Sequence, residues 1–170
     1  MKVLWLCNVI IPQICESLGI ASSYGGGWLN RLADKMDETE QMELAVCAPY
    51  RNEEIKRAVW GKKSIFYGFY SGEKIDKKRR IELKAIFEKI IADYNPDIVH
   101  IFGTEFVHTL AMVDAFGKPD RTAIHIQGLV SVIEKHYYAF LPESVIKRCT
   151  LRDFLKHDSI KNQKKKFGQR

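Results

Sequence analysis

The chain has 170 residues, 46% hydrophobic and 28% charged, with a formal net charge of +6. That length suits one domain with a sizeable core, and this balance of apolar and charged residues excludes a chain disordered throughout. No apolar run approaches the roughly 18 residues that a membrane-spanning helix needs.

Val3 to Cys7 is a short continuous apolar run, the pattern of a parallel strand covered on both faces. Met1-Lys2 followed by Val3 to Ile11 resembles a signal peptide, but Asn8 breaks that longer run and no small-x-small cleavage site follows, so a buried first strand is expected. A polar, glycine-containing stretch runs from Asn8 to Gly27. Trp28, Leu29, Leu32, Ala33 and Met36 then recur at spacings of three and four, which predicts an amphipathic helix with these residues inward. Leu44 to Ala48 reads as a second strand ended by Pro49, and Ser64 to Tyr70, aromatic and β-prone, as a third.

The stretch from Asp76 to Tyr94 is the clearest helix, with Leu83, Phe87, Ile90, Ile91 and Tyr94 as its inner stripe. Asn95-Pro96-Asp97 stops it, because proline disfavours a helical conformation in the residue before it. Next come a strand at Ile98 to Phe102, a turn at Gly103 and a helix from about Glu105 to Phe116, closed by Gly117 and Pro119. Thr122 to Ile126 is a further strand. Beyond Gly128 lies the aromatic segment His136-Tyr137-Tyr138-Ala139-Phe140, and Pro142 opens a last helix running towards Leu155. Strands alternating with helices at this spacing predict a parallel, doubly wound α/β sheet in a single domain, residues 1–170, with a basic tail over 156–170.

The charge sits in that tail. Residues 147–170 hold nine Lys and Arg against Asp153 and Asp158, a local balance of +7, which leaves −1 for residues 1–146. Lys156, Lys161, Lys164, Lys165, Lys166 and Arg170 read as a solvated helix or frayed end, or as a contact for a phosphate-rich partner or an anionic membrane. A nucleic-acid binder would carry its basic face within the folded core; this core is neutral, so no nucleic-acid partner is expected. Cys7, Cys15, Cys47 and Cys149 form no C-x-x-C pair and no cluster with zinc-ligand spacing. Cys7 and Cys47 lie inside apolar runs as small hydrophobes, and the expected compartment is a reducing cytoplasm.

In a doubly wound sheet, ligands bind outside the carboxyl ends of the strands, near the point where strand order reverses. Four loops qualify: Asn8 to Gly27, Pro49 to Arg51, Gly103 to Glu105 and Gln127 to Ser131. Gly25-Gly26-Gly27 precedes the first long helix, where free backbone N–H groups and the helix dipole suit a phosphate; a plain flexible lead-in has the same composition. Neither G-x-G-x-x-G nor G-x-x-x-x-G-K-[ST] occurs, which disfavours a dinucleotide fold and a P-loop NTPase.

His125 lies near the end of its strand, where an imidazole can accept a proton or hydrogen-bond a sugar hydroxyl or a phosphate. It is equally readable as a satisfied core histidine, and His100 occupies a comparable place one strand earlier. Glu105 is either a first-turn acid favoured by the helix dipole or a ligand contact in the same cleft. His108 and His136 read as surface or core residues.

Taken together, Met1-Lys2-Val3-Leu4-Trp5, the Gly26-Gly27-Trp28-Leu29-Asn30-Arg31-Leu32-Ala33 phrase, Asn95-Pro96-Asp97-Ile98-Val99-His100-Ile101-Phe102-Gly103 and Thr122-Ala123-Ile124-His125 resemble the N-terminal, Rossmann-like half of a family 4 glycosyltransferase of the GT-B fold. The resemblance covers most of the chain. It implies a retaining transfer of a sugar from a nucleotide-diphosphate donor to an acceptor hydroxyl, with no required metal or other cofactor, in polysaccharide or glycolipid synthesis. The family's donor-phosphate loop maps to Gly26 and Gly27, its strand-end catalytic histidine to His125, and acceptor contacts to Gly103, Thr104 and Glu105. The long stretch from Asn8 to Tyr24 departs from the family's spacing.

The resemblance further implies a missing C-terminal donor-binding domain, so that the chain reads as an acceptor-side fragment, inactive alone. Its partners would be a nucleotide sugar, a sugar or lipid-linked acceptor and, through the tail, the inner face of the membrane. Two other classes compete: a GT-B-like epimerase or hydrolase, which would consume donor without acceptor, and a stand-alone Rossmann-like binding module whose basic tail holds an anionic partner.

Overall fold

The first apolar run is β1 (Lys2–Leu6), a central strand of a six-stranded sheet. Val3 and Trp5 pack into one hydrophobic layer and Leu4 and Leu6 into the other, which is why the run lacks polar alternation. In the computed structural model, which describes residues 1–22, 27–51, 53–72 and 77–168, the chain divides into two compact units, 1–127 and 128–170.

The sheet belongs to the first unit. Its other strands are β2 (Glu43–Pro49), β3 (Lys56–Trp60), β4 (Ser64–Phe69), β5 (Ile98–Phe102) and β6 (Thr122–His125), in the spatial order β3-β4-β2-β1-β5-β6. All neighbours run parallel except the β3–β4 hairpin at one edge. Helices α1 (Pro12–Ser17) and α2 (Gly27–Glu38) contribute Ile14, Leu29 and Ala33 to the layer holding Trp5. Helices α3 (Lys77–Tyr94) and α4 (Val107–Phe116) contribute Leu83, Phe87, Ile90 and Met112 to the opposite layer. The architecture is the expected doubly wound, Rossmann-like α/β sheet, with strand order reversing between β1 and β5.

Several local expectations are corrected. The stretch from Asn8 to Gly27 contains α1, opened by Pro12 and pinned by buried Ile14 and Cys15. On α2 the inward stripe is Leu29, Ala33 and Asp37, four residues apart, while Trp28 and Leu32 are 50% and 41% exposed. Between β2 and β4 the described residues form no helix: β3 pairs antiparallel with β4 through the turn at 61–63. Buried Asp37 holds that turn, its carboxylate accepting bonds from Lys62 N (2.7 Å), Lys63 N (3.2 Å), Ser64 N (3.1 Å) and Ser64 Oγ (2.6 Å). Burial pushes its pKa up, but the Ser64 hydroxyl and the three backbone donors outweigh it and hold the carboxyl below its usual range. Helix α4 starts at Val107, with Phe106 as its N-cap, so Glu105 is not a first-turn acid. Its end is as expected: Gly117 caps it at φ 61° and donates to Val113 O.

The second unit consists of α5 (Val130–Lys135), α6 (Glu143–Ile146), α7 (Leu151–Lys156) and α8 (Ile160–Phe167). None of its described residues is buried. The single helix expected from Pro142 towards Leu155 breaks in two because Thr150 starts a new one. Its hydroxyl accepts from Asp153 N (3.1 Å), and the Asp153 carboxylate accepts from Thr150 N (2.9 Å). The basic tail is largely α8, where Lys164 Nζ lies 4.8 Å from the centre of the Tyr138 ring. Among the described residues, no helix is long and apolar enough to cross a membrane.

Candidate functional site

The carboxyl edge of the sheet carries two clusters. The first is an aromatic shelf. His125 ends β6 opposite Phe102 of β5, and its carbonyl accepts the Gly103 N–H at 2.9 Å, extending the strand pairing. The His125 side chain is exposed, and its ring lies 5.2 Å from that of Trp28, tilted by 32°. Trp28 also meets the edge of Phe102 at 5.4 Å, and Phe102 lies 4.1 Å from His100.

The two strand histidines thereby differ. Burial, reinforced by the neighbouring His125, lowers the His100 pKa below the ordinary histidine value. His125 is exposed, whereas His100 is half-buried. Gly27, the first residue of α2, sits beside Trp28, and a Cβ built on it meets nothing within 4 Å. The sequence therefore places the glycine end of α2 and the strand-end histidine on one shelf. Gly26 lies outside the described residues.

The second cluster surrounds Gly103. This buried residue has φ 101°, and a Cβ there would stand 2.4 Å from Glu105 Oε2 and 2.5 Å from Asn8 Nδ2. Its conformation requires glycine, and a side chain there would displace the ends of both polar groups. The other end of the Asn8 amide, Oδ1, accepts from His108 Nε2 at 2.8 Å. His108 is buried between the stacked ring of Phe106 (5.1 Å) and the edge of Phe69 (5.5 Å), and burial pushes its pKa down to about 4. It is thus a neutral donor that orients Asn8. Thr109 Oγ1 donates to Gly103 O at 3.0 Å and ties the loop to α4. Glu105 Oε2 is buried with no hydrogen-bond partner among the described residues, and Thr104 is exposed.

A cavity of about 670 Å³ opens on the other side of β1, where the ends of β1, β2 and β4 meet α1. Val9, Ile10, Cys15, Ile20 and Ala21 of the first expected loop and Pro49, Tyr50 and Arg51 of the second wall it, together with residues just after β4, whereas Gly103, Thr104 and Glu105 do not line it. Among the described residues, no group of three or more His, Cys, Asp or Glu side chains could hold a metal ion. Burial pushes the Cys7 thiol up, and burial followed by the proximity of Cys7 does the same for Cys47, which leaves both as inert core residues.

Three contributors were hidden in the sequence. Trp28 reads as part of the inner stripe, although its position directly after the glycines was a usable signal. Asn8 reads only as an interruption of an apolar run; a polar residue at a strand's carboxyl end is itself the sign of a site. His108 gives no signal, because its partner is 100 residues away. No protein-family model and no curated protein matches this chain.

Proposed function

We propose that the chain is the acceptor-side half of a retaining glycosyltransferase, which moves a sugar from a nucleotide-diphosphate donor to an acceptor hydroxyl in polysaccharide or glycolipid synthesis. One observation carries the reading: the exposed His125 ring rests on Trp28, next to Gly27, so the strand-end imidazole and the glycine end of α2 serve one ligand. The N–H groups of the first turn of α2 suit the donor diphosphate, including the charge that grows on it as the sugar leaves. His125 then hydrogen-bonds a hydroxyl of the transferred sugar. In this reading Gly103, Thr104 and Glu105 face the acceptor, with Asn8 fixed by His108, and no resident cofactor is needed. The donor nucleotide would be held by a further domain, and the work would take place in the cytoplasm, at the inner face of the membrane where the acceptor is lipid-linked.

The test is transfer of radiolabelled sugar from a panel of nucleotide-diphosphate sugars by the natural protein that contains these residues. His125→Ala is expected to lower kcat by about a hundredfold or more, on the order of a lost positioned acid–base or hydrogen-bonding group. Trp28→Ala should act in the same direction with a smaller loss. Unchanged transfer in both variants would end the proposal. Donor breakdown without any acceptor would favour the hydrolase or epimerase class instead.

A second reading is favoured by the charge distribution. Residues 128–170 form a unit of their own and hold ten Lys and Arg against four Asp and Glu. A binding module that grips an anionic partner through this unit would lose affinity steeply with salt, and would lose it altogether when residues 147–170 are removed.

A further inference from the structure

The cavity beside β1 has a chemistry of its own. Its aliphatic walls are Val9, Ile10 and Ile20, and its volume of about 670 Å³ lies in the range of sites for small organic ligands. Among the described residues that line it, Arg51 is the one charged side chain, and none of them is an acid. Tyr50 and Tyr70 supply two rings, and neither hydroxyl has a hydrogen-bond partner among the described residues.

Both rings are fixed before any ligand arrives. Gly68 makes room for Tyr50: a Cβ at Gly68 would stand 2.7 Å from Tyr50 Cβ, and Tyr50 N donates to Phe69 O at 2.7 Å. Tyr70 is held by Arg79, whose guanidinium lies 5.3 Å from the ring centre and donates to the carbonyls of Tyr70 and, at 2.9 Å, Ser71. Arg79 is thus committed to the wall, while Arg51 is exposed at the cavity.

We infer that this cavity binds a small amphiphilic anion: an apolar body the size of one ring, set against the aliphatic and tyrosine walls, carrying a phosphate or carboxylate paired with Arg51. A fork of guanidinium N–H donors suits either anion, and two unpartnered phenols can bond its remaining oxygens or a neighbouring hydroxyl. The inference is separate from the glycosyltransferase reading, in which the acceptor faces Gly103, Thr104 and Glu105, residues that do not line this cavity.

The experiment is a titration of the full ¹⁵N-labelled chain with phenyl phosphate, benzoate, benzyl alcohol and inorganic phosphate, followed by amide NMR shifts. Phenyl phosphate or benzoate is expected to shift Val9, Ile10, Tyr50, Arg51, Tyr70 and Ser71 saturably, and the stronger of the two identifies the anion. Arg51→Gln should weaken that anion about tenfold or more, the loss expected for a charge-assisted bond, and leave benzyl alcohol within twofold. Because Arg51 is exposed, the variant should keep the wild-type spectrum elsewhere, which separates lost binding from lost folding. Equal affinity in Arg51→Gln, equal affinity for inorganic phosphate, or shifts confined to other residues would each overturn the inference. Binding in the cavity without sugar transfer would leave the pocket standing and end the transferase reading; transfer dependent on His125 without binding here would do the reverse.

Discussion

The two units are held together by different physics. Every buried hydrophobic residue among those described lies in 1–127, in layers built from residues far apart in sequence. In 128–170 the hydrogen bonds are mostly local, as in the Thr150–Asp153 capping box, with a long Tyr137–Gln163 bond (3.5 Å) reaching across the unit, and Phe140, Leu151, Phe154 and Leu155 stand 102%, 77%, 68% and 70% exposed. Charge divides the same way: seventeen basic and seventeen acidic residues in the first unit, ten and four in the second. The contrast teaches where function can be precise. Only the first unit has the buried scaffold that fixes a side chain to within a fraction of an ångström, as Asn8 and Tyr50 are fixed.

If that contrast is right, the largest losses come from buried polar groups of the first unit. Asp37→Ala removes the acceptor of four bonds and strands three backbone N–H groups beside a buried serine hydroxyl. The expected cost is about 4 kcal/mol, well above that of a surface change. Urea unfolding followed by tryptophan fluorescence reads this unit alone, because Trp5, Trp28 and Trp60 all lie within it. A loss below about 1 kcal/mol would show that water replaces the carboxylate and that the hairpin is not anchored as described.

The next effect is a pH dependence written by His108, whose pKa is pushed from the ordinary histidine value of 6.5 down to about 4 by burial. Above pH 6.5 the imidazole is neutral in both states and contributes nothing to the pH dependence. Below it the unfolded chain takes up a proton that the native chain refuses until about pH 4, so stability falls as pH drops through this window. Between pH 7 and pH 5 the expected loss is about 2 kcal/mol. His100, shifted the same way, adds to it. His108→Gln keeps a donor for Asn8 without the titration, and should flatten that part of the urea-midpoint profile; an unchanged profile would mean that the ring is protonated in place.

The fold was legible because periodicity reports burial: the runs at Val3 to Cys7 and Ile98 to Phe102 and the stripe Leu83, Phe87, Ile90, Tyr94 are one-dimensional images of two covered faces. Where structure depends on a single contact the image fails. Helix α1 has only Pro12 and two buried side chains to announce it, β3 exposes all but Trp60 and partly buried Ala58, and one capping residue, Thr150, splits the last helix. The site follows the same rule. His125, Gly27 and Gly103 lie at strand or helix ends that the pattern locates. The shelf of Trp28, the pairing of Asn8 with His108 and the walls of the cavity are contacts across the chain, and no spacing encodes them.

The smallest effect is the sharpest test of the contrast. Phe154 and its neighbours Leu151 and Leu155 fall at i−3 and i+1 on α7, all exposed, and Arg152 and Lys156 flank them. An apolar side chain that buries little loses little on becoming polar, and Ser costs a helix about as much as Phe does. Phe154→Ser should therefore leave both the fluorescence transition and the amide exchange of α7 within about 0.5 kcal/mol of wild type. A loss above 1 kcal/mol would mean that this face is covered in solution. The second unit would then owe its order to burial after all, and the division between long-range and local stabilisation would fall.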